Sequence, residues 1–233
     1  MLVAAKYYCP NIGIIDFKMK RIFILPIFSA LIFGSITTYA QNNQAIALSG
    51  DARNSAIQMA NNSINSLDKI EGRFVQYNAN NSSITGSFWL DRPGKMRFEY
   101  DAPSPVLLTS DGSGIAILDK KLNTVERYPL RSNPLYFLLK SNLNIAQELK
   151  ITNVIKAQNQ TLISLRDKKN EAQGELTLTF DASNHLSQWQ IVDNRKRVTI
   201  VKLMNIKPSA QKEASFFVIK TPKGTGSIGD RKS

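Results

Sequence analysis

The sequence predicts a mainly β protein of the α+β class, built on antiparallel strands with only two or three helices. From Glu71 onward apolar and polar residues alternate with a period of two, which is the spacing of strands with one buried face. Short turns separate these segments, so consecutive strands are expected to be antiparallel neighbours. About a dozen strands exclude a doubly wound fold, and they leave a closed barrel, a sandwich and an incomplete barrel covered by helices as alternatives.

The predicted strands form two series with a helical stretch between them. Turn sequences such as Asp111–Gly114 and Lys120–Asn123 divide the first series. A meander is the simplest topology for such closely spaced strands. The predicted strands are residues 71–77, 84–91, 95–101, 105–110, 114–119, 123–129, 151–158, 161–168, 174–181, 186–193, 197–207 and 215–220.

The first predicted helix precedes all of these strands. Residues 41–50 are small and polar and are expected to form a mobile leader. Asp51 is expected to cap the helix, because aspartate accepts hydrogen bonds from the first free N–H groups. Apolar residues then recur at helical spacing as far as Leu67. The stripe is narrow and made of small side chains, which suits a helix that lies across a sheet.

The second predicted helix separates the two series of strands. Ser132 or Asn133 can cap it, and Pro134 occupies its first position, where proline is favourable. Residues 135–139 are apolar almost all round, so this helix must either be buried or bury something. A further helical turn is expected at residues 145–149.

Residues 86–100 form the clearest hairpin of the sequence. Pro93 fixes φ at about −65° and Gly94 tolerates positive φ, so the two fit the centre of a type II turn directly after Arg92. One face of the hairpin is apolar and the other is polar, with Trp89 on the polar side. The apolar residues are Phe88, Leu90, Met96, Phe98 and Tyr100.

The same alternation selects a larger apolar set that faces one side of the sheet. These residues can fill one another as a solid core, or they can enclose an apolar ligand. The set is Phe74, Phe88, Leu90, Met96, Phe98, Ile115, Ile117, Ile163, Leu176, Leu178 and Phe180.

The first 40 residues have the pattern of a targeting segment. Three basic residues within 18–21 precede an apolar run over 22–36, and small residues at positions 38 and 40 predict a secretory signal peptide cleaved after Ala40. A membrane anchor is the alternative, but about 15 apolar residues fall short of the roughly 20 that a spanning helix needs. Met19 is a plausible start, which makes residues 1–18 an upstream extension.

Cleavage after Ala40 leaves residues 41–233 as one domain. The net charge of the whole chain is +12, and residues 1–40 hold four basic residues and one acidic residue, so the remainder carries +9. Export argues against a nucleic-acid partner. The positive charge would instead attract anionic lipid head groups or acidic partner proteins. The only cysteine, Cys9, lies in the removed part.

The sequence carries no pattern that predicts catalysis, a cofactor or a metal site. The single histidine, His185, lies in a predicted hairpin loop without a nucleophile-elbow motif near it. One imidazole and no thiol in residues 41–233 do not make a metal site. Residues 224–229 match a dinucleotide pattern by letter, but too few residues follow for the helix that the motif must open. An enzyme is therefore not expected.

Several short motifs in a fixed order resemble the LolA family of periplasmic lipoprotein carriers. The resemblance covers roughly residues 51–225, and its order and spacing carry more weight than any single motif. The motifs are Phe74–Gln76, the Gly86–Tyr100 hairpin with Arg92–Gly94 at its turn, Asp101–Pro103, Ser110–Gly112, Tyr128–Leu130, Asn133–Leu135 and Phe217–Pro222.

The resemblance implies an incomplete barrel around an apolar cavity, with the short helices as a lid. In this interpretation Leu135, Phe137 and Leu138 plug the cavity. Arg92 matches the family's arginine that hydrogen-bonds lid carbonyls in the closed state, and we refer to this role as the latch. Many family members have tryptophan where this chain has Ala116, so contacts there are expected to differ.

The resemblance also implies a function and a set of partners. The protein would be a monomeric periplasmic carrier without a cofactor, which takes acylated outer-membrane lipoproteins from a LolCDE-like ABC-type release complex and passes them to a LolB-like outer-membrane acceptor. The alternative is a lipid-sensing regulatory domain of the same fold that binds acyl chains without transport. An exported lipid hydrolase that depends on His185 is a third class.

Overall fold

The computed structural model describes residues 45–169 and 171–220, so the predicted signal peptide and the tail from Lys223 lie outside the described residues. The strands are β1 (Ile46–Ala47), β2 (Lys69–Tyr77), β3 (Ser83–Asp91), β4 (Lys95–Tyr100), β5 (Val106–Asp111), β6 (Gly114–Asp119), β7 (Thr124–Pro129), β8 (Leu149–Ala157), β9 (Gln160–Asp167), β10 (Glu175–Phe180), β11 (Leu186–Val192) and β12 (Val198–Pro208). The helices are α1 (Gly50–Asn65), α2 (Tyr136–Leu139), α3 (Ile145–Glu148) and two 3₁₀-helices, Leu130–Ser132 and Ala214–Phe217.

All twelve described strands belong to one sheet, in the order β1-β8-β9-β10-β11-β12-β2-β3-β4-β5-β6-β7. Each neighbouring pair is antiparallel, and two meanders, β2–β7 and β8–β12, are joined by the pairing of β12 with β2. The sheet does not close, because β1 and β7 form its two edges. The predicted antiparallel, incomplete barrel is confirmed, and a closed barrel is excluded.

The main core lies on one face of the sheet, as the period of two predicts. In the β3–β4 hairpin Phe88 pairs with Phe98 and Leu90 pairs with Met96, and all four side chains are buried. The turn differs from the prediction: Asp91 pairs with Lys95, so the connection is a three-residue loop, Arg92–Gly94, rather than a two-residue type II turn. Gly94 does have positive φ, at 79°.

Helix α1 begins two residues earlier than predicted and without the predicted cap. Its N-cap residue is Ser49, which makes no side-chain capping bond, and Asp51 lies inside the first turn. An acidic residue there still interacts favourably with the helix dipole. The helix buries the side of its apolar stripe that contains Ala56, Ala60 and Ile64. Asp51 as the cap was therefore wrong, whereas the helix and its buried face are confirmed.

Two parts of the chain differ from the predicted elements at the ends of the domain. Ile46 and Ala47 pair with β8, so the expected mobile leader contains a short strand. The predicted strand 215–220 is wrong: Ala214–Phe217 is a 3₁₀-helix, and no strand follows it within the described residues. Consecutive aromatic residues explain this difference, because Phe216 packs on Trp89 while Phe217 is also buried, which an alternating strand would not allow.

A row of three residues across β2, β3 and β4 needs a glycine at its centre. Phe74 pairs with Gly86, and Gly86 pairs with Tyr100, so the two aromatic rings meet across the missing side chain at 5.0 Å between centroids. A Cβ atom at Gly86 would lie 2.4 Å from the Phe74 ring and 2.4 Å from the carbonyl oxygen of Glu99.

We therefore expect Gly86→Ala to lower the free energy of unfolding by about 1–3 kcal/mol, the usual effect of overpacking a core. Urea unfolding of both proteins measures the difference. Ser83→Ala, at an exposed position of the same strand, is the matched control and should shift the free energy by less than about 0.5 kcal/mol. Equal stability of the two variants would contradict the close packing of this row.

Candidate functional site

The inner face of the sheet, the face that carries Phe88 and Phe98, forms one continuous apolar cluster with the helices that cover it. A smaller cluster that contains Leu107, Ala116 and Ile219 lies on the outer face. The predicted set lies within this cluster, and all of its members are buried except Ile117, which is partly buried. The buried members are Phe74, Phe88, Leu90, Met96, Phe98, Ile115, Ile163, Leu176, Leu178 and Phe180. The structure thus brings together residues from six strands that are far apart in sequence.

The predicted lid residues pack against the same face. Phe137 and Leu138 of α2 are buried, and Leu135 just before it is partly buried. Asn133 contributes to the start of this turn, because its side-chain oxygen accepts a hydrogen bond from the N–H of Leu135. The side chains of the helices and of the inner face therefore pack against one another.

Several members of the cluster were not among the residues predicted from the sequence. Trp189 of β11 is 3% exposed and lies 5.9 Å from Phe98, measured between ring centroids. Alternation with Ile191 could have identified it. The other missed residues come from less regular segments or from strands whose alternation was not used: Leu130, Leu139, Leu143, Ile145, Leu149, Val154, Leu165, Ala172, Leu186, Val201 and Leu203.

Arg92 lies in the β3–β4 turn and contacts the C-terminal ends of two helices. Its Nη1 donates to the carbonyl oxygens of Ile64 and of Leu67, the latter at 2.9 Å, and its Nη2 donates to the carbonyl oxygen of Lys140. The last carbonyl groups of a helix have no partner within that helix. One guanidinium therefore satisfies carbonyl groups at the ends of both α1 and α2.

The environment of Arg92 is unusual for a cation. The residue is 8% exposed, and burial lowers the pKa of its guanidinium, an effect that the carboxylate of Asp68 opposes. Its Nε makes no hydrogen bond to the described residues. The hydrogen-bond partners are backbone carbonyl groups rather than carboxylates, so the positive charge is solvated by the negative ends of helix dipoles. Such contacts can be exchanged for water without leaving a buried unpaired anion.

Further hydrogen bonds hold the helical segments to each other and to the sheet. The side-chain amide of Asn65 both donates to the carbonyl oxygen of Leu143 at 2.8 Å and accepts from its N–H at 2.9 Å. The N–H of Gly94 donates to the carbonyl oxygen of Leu139 at 2.8 Å. Just after β9, the side chain of Lys168 donates to two carbonyl groups at the end of α3.

The described residues offer little for other chemistry. His185 is exposed in the loop between β10 and β11. Across residues 45–169 and 171–220 there is no group of three or more histidine, cysteine or acidic side chains that could hold a metal ion. In the same ranges no helix is both long and apolar enough to span a membrane. The largest chemically distinctive feature is therefore the covered apolar face with its buried arginine.

These features define a class of protein: an open antiparallel half-barrel whose apolar face is covered by short helices that a buried arginine ties to the sheet. Sequence comparison then gives the family. The family model described as "Outer membrane lipoprotein carrier protein LolA" matches residues 65–220, and the chain belongs to this family.

Relatives from several bacteria carry the name outer-membrane lipoprotein carrier protein. The chain is 26% identical to that of Ralstonia nicotianae over 196 residues, which is 78% of this chain and 91% of the relative. It is 24% identical to that of Legionella pneumophila strain Lens over 210 residues, 88% and 97% of the two chains. A crystal structure of a LolA superfamily protein from Nitrosomonas europaea aligns with a TM-score of 0.44 at 7% identity, covering 72% of this chain and 97% of that one. The family assignment therefore rests on the sequence comparisons.

We expect Arg92→Met to loosen both helix ends without unfolding the sheet. Loss of the hydrogen bonds to Ile64, Leu67 and Lys140 should speed amide exchange near these residues by about tenfold or more, since each bond to a charged group contributes roughly 1.5–3 kcal/mol. Hydrogen exchange followed by mass spectrometry measures this. The control is Arg195→Met in the exposed β11–β12 loop, which should leave the rate unchanged. Equal protection in Arg92→Met would show that the helix ends do not depend on the arginine.

Proposed function

We propose that this protein is a periplasmic carrier that encloses the acyl chains of outer-membrane lipoproteins between the inner face and its covering helices. The observation that carries the proposal is the way Arg92 ties two helices over an apolar face through carbonyl contacts alone. Membership of the lipoprotein carrier family supports it. In this view the predicted apolar set lines the site for the acyl chains, and Leu135, Phe137 and Leu138 occupy it when no cargo is present.

Loading exchanges one set of apolar contacts for another. The acyl chains replace the side chains of α2 against the inner face, while α1 and α2 move away from the β3–β4 turn. Arg92 then loses its carbonyl partners and water or the cargo takes their place. The latch opposes this movement by an amount set by a few hydrogen bonds, roughly 1.5–3 kcal/mol each when the donor is charged.

Reversibility is the property that a carrier needs most. A chain of about 16 carbons gains about 12 kcal/mol on leaving water, so an unopposed apolar pocket would hold its cargo too firmly to deliver it. Reformation of the closed, self-packed state provides the opposing free energy, since the ligand shifts the equilibrium only by its differential affinity for the two states. Arg92 contributes to the closed state and therefore favours delivery.

The proposed partners follow from this cycle. A LolCDE-like inner-membrane complex would release the acylated protein to the carrier, and a LolB-like acceptor in the outer membrane would receive it. Neither step requires nucleotide binding or covalent chemistry by this chain, and we propose that it is not an enzyme and that it acts as a monomer.

The direct test incubates residues 41–233 with energised spheroplasts that carry labelled lipoproteins. The proposal predicts that labelled lipoprotein leaves the membrane in a stoichiometric complex with the protein, as separated by gel filtration. Binding of a fluorescent fatty acid without any release would contradict transport and would favour the lipid-sensing alternative.

We expect Arg92→Leu to accept cargo but to deliver it poorly. Without the latch the closed state is less favoured, so transfer to acceptor-containing outer-membrane vesicles should fall by about fivefold or more, the range of a coupling of at least 1 kcal/mol. Formation of the loaded complex in the spheroplast assay should stay within about twofold of the wild type. Arg195→Leu is the control for charge and should deliver normally. Normal delivery by Arg92→Leu would remove the latch from the mechanism.

A further inference from the structure

The inner face carries a pair of hydrogen-bonding side chains that the enclosure of acyl chains does not require. Tyr100 lies on the inner face because it alternates with Met96 and Phe98 along β4, and Gln76 lies there because it alternates with Phe74 along β2. The hydroxyl of Tyr100 donates to Oε1 of Gln76 at 2.7 Å. Both residues are partly buried.

Because Gly86 has no side chain, the ring of Tyr100 extends across β3 toward Phe74 and Gln76 of β2. Tyr100 and Phe74 meet across Gly86 with their rings nearly perpendicular, at 83°. This packing requires the Tyr100 ring but not its hydroxyl, because phenylalanine has the same ring. A hydroxyl group on an apolar face needs a hydrogen-bond partner, which Gln76 supplies here, so the two polar groups satisfy each other but add nothing to the apolar packing. The hydroxyl and its partner therefore suggest a binding role rather than a packing role.

The pair lies at the end of the inner face opposite to Arg92. Gln76 and Tyr100 are at the ends of β2 and β4, whereas Arg92 is in the turn that begins β4. A chain of side-chain hydrogen bonds leads outward from the pair: Nε2 of Gln76 donates to Oδ1 of Asn78 at 2.7 Å, and Nδ2 of Asn78 donates to Ser82 at 3.0 Å. The polar groups thus run from the apolar face to the exposed β2–β3 loop.

Hydrogen bonds from the covering helices do not reach this corner. Among the described residues, those between helices and sheet involve Arg92, Gly94, Ile151 and Lys168, and none involves Gln76 or Tyr100. Nearby on the inner face lie apolar side chains, because Gln76 pairs with Val201 on one side and with Ile84 on the other. The corner is an amphipathic boundary, apolar inside and polar at its edge.

We propose that Tyr100 and Gln76 bind the polar junction of the cargo, the ester and amide groups that join its acyl chains to the protein. This inference rests on the proposed function and adds a subsite to it. Acyl chains that enter the inner face must leave their carbonyl groups at its edge, where an unpaired carbonyl would be unfavourable. On binding, the hydroxyl of Tyr100 exchanges its bond to Gln76 for one to such a carbonyl, which leaves Oε1 of Gln76 free to accept from an amide N–H.

The protonation state of Tyr100 suits this role. Burial raises the pKa of its phenol to about 12, so the hydroxyl keeps its proton and remains a neutral donor throughout the range in which proteins function. The carboxylates nearest in sequence are Glu99 and Asp101, and both are engaged elsewhere: Glu99 pairs with Arg97 and Lys120, and Asp101 pairs with Arg73.

The test compares two probes that differ in this junction. One is a dansyl-labelled synthetic peptide with a tripalmitoylated N-terminal cysteine, which has two esters and an amide. The other is diphenylhexatriene, a hydrocarbon without any hydrogen-bonding group. Tyr100→Phe and Gln76→Leu should each raise the Kd of the lipopeptide by about 5- to 10-fold, as expected for one lost hydrogen bond, and should change the Kd of the hydrocarbon by less than about twofold.

Tyr77→Phe is the matched control, since Tyr77 is exposed, lies next to Gln76 and points to the other face of β2. Its affinity for both probes should equal that of the wild type. Unchanged lipopeptide binding by Tyr100→Phe would overturn the subsite. An equal rise in the Kd of both probes would also overturn it, because such a rise would indicate a structural role for the residue. Wild-type protein that binds neither probe would overturn the proposed function itself, and the subsite with it.

Discussion

One apolar sheet face with very little helix to cover it is the constraint on which this structure depends. Twelve strands in a single open sheet present their inward side chains to one side, and in the part of the chain that the structure describes they are covered mainly by α1, α2 and α3. Removal of apolar surface from water is the main favourable term in folding, so the helices must stay on this face. A cover made of two four-residue helices and one longer helix has little stability of its own. The fold therefore needs specific contacts between the helices and the sheet.

Arg92 is the most buried of these contacts, and its chemistry explains how the cover can be both specific and removable. A carboxylate partner would hold the guanidinium firmly, but removing it would leave a buried charge unpaired, which is strongly destabilising. Carbonyl groups at helix ends carry only partial charges, and water can replace them. The same apolar side chains can then serve as a folded core and, in the function we propose, as a lipid-binding surface.

Prediction from the sequence succeeded where a local pattern determines the structure. The strand pairs and the inner set, from Phe74 to Phe180, follow from alternation, and α1 follows from helical spacing. The prediction of a strand around Phe216 failed because this segment packs on the outer face of the sheet. The spacing of apolar residues in the sequence does not indicate such a contact. The bonds of Asn65 to Leu143 and the pairing of Ile46 with β8 also connect distant segments, so only the folded chain reveals them. The carbonyl contacts of Arg92 could be anticipated only from the family resemblance.

The two tryptophans allow the most direct measurement, because they report on opposite faces of the sheet. Trp189 is buried in the inner cluster, and Trp89 packs on Phe216 on the outer face. The sequence has two tryptophans, so Trp89→Phe leaves Trp189 as the sole tryptophan and Trp189→Phe leaves Trp89. Each variant can be titrated with a fatty acid brominated on its acyl chain, which quenches tryptophan fluorescence on contact. Enclosure of the chain on the inner face predicts strong quenching of Trp189 and almost none of Trp89. Equal quenching of both, or quenching of Trp89 alone, would contradict the use of the inner face as the lipid site.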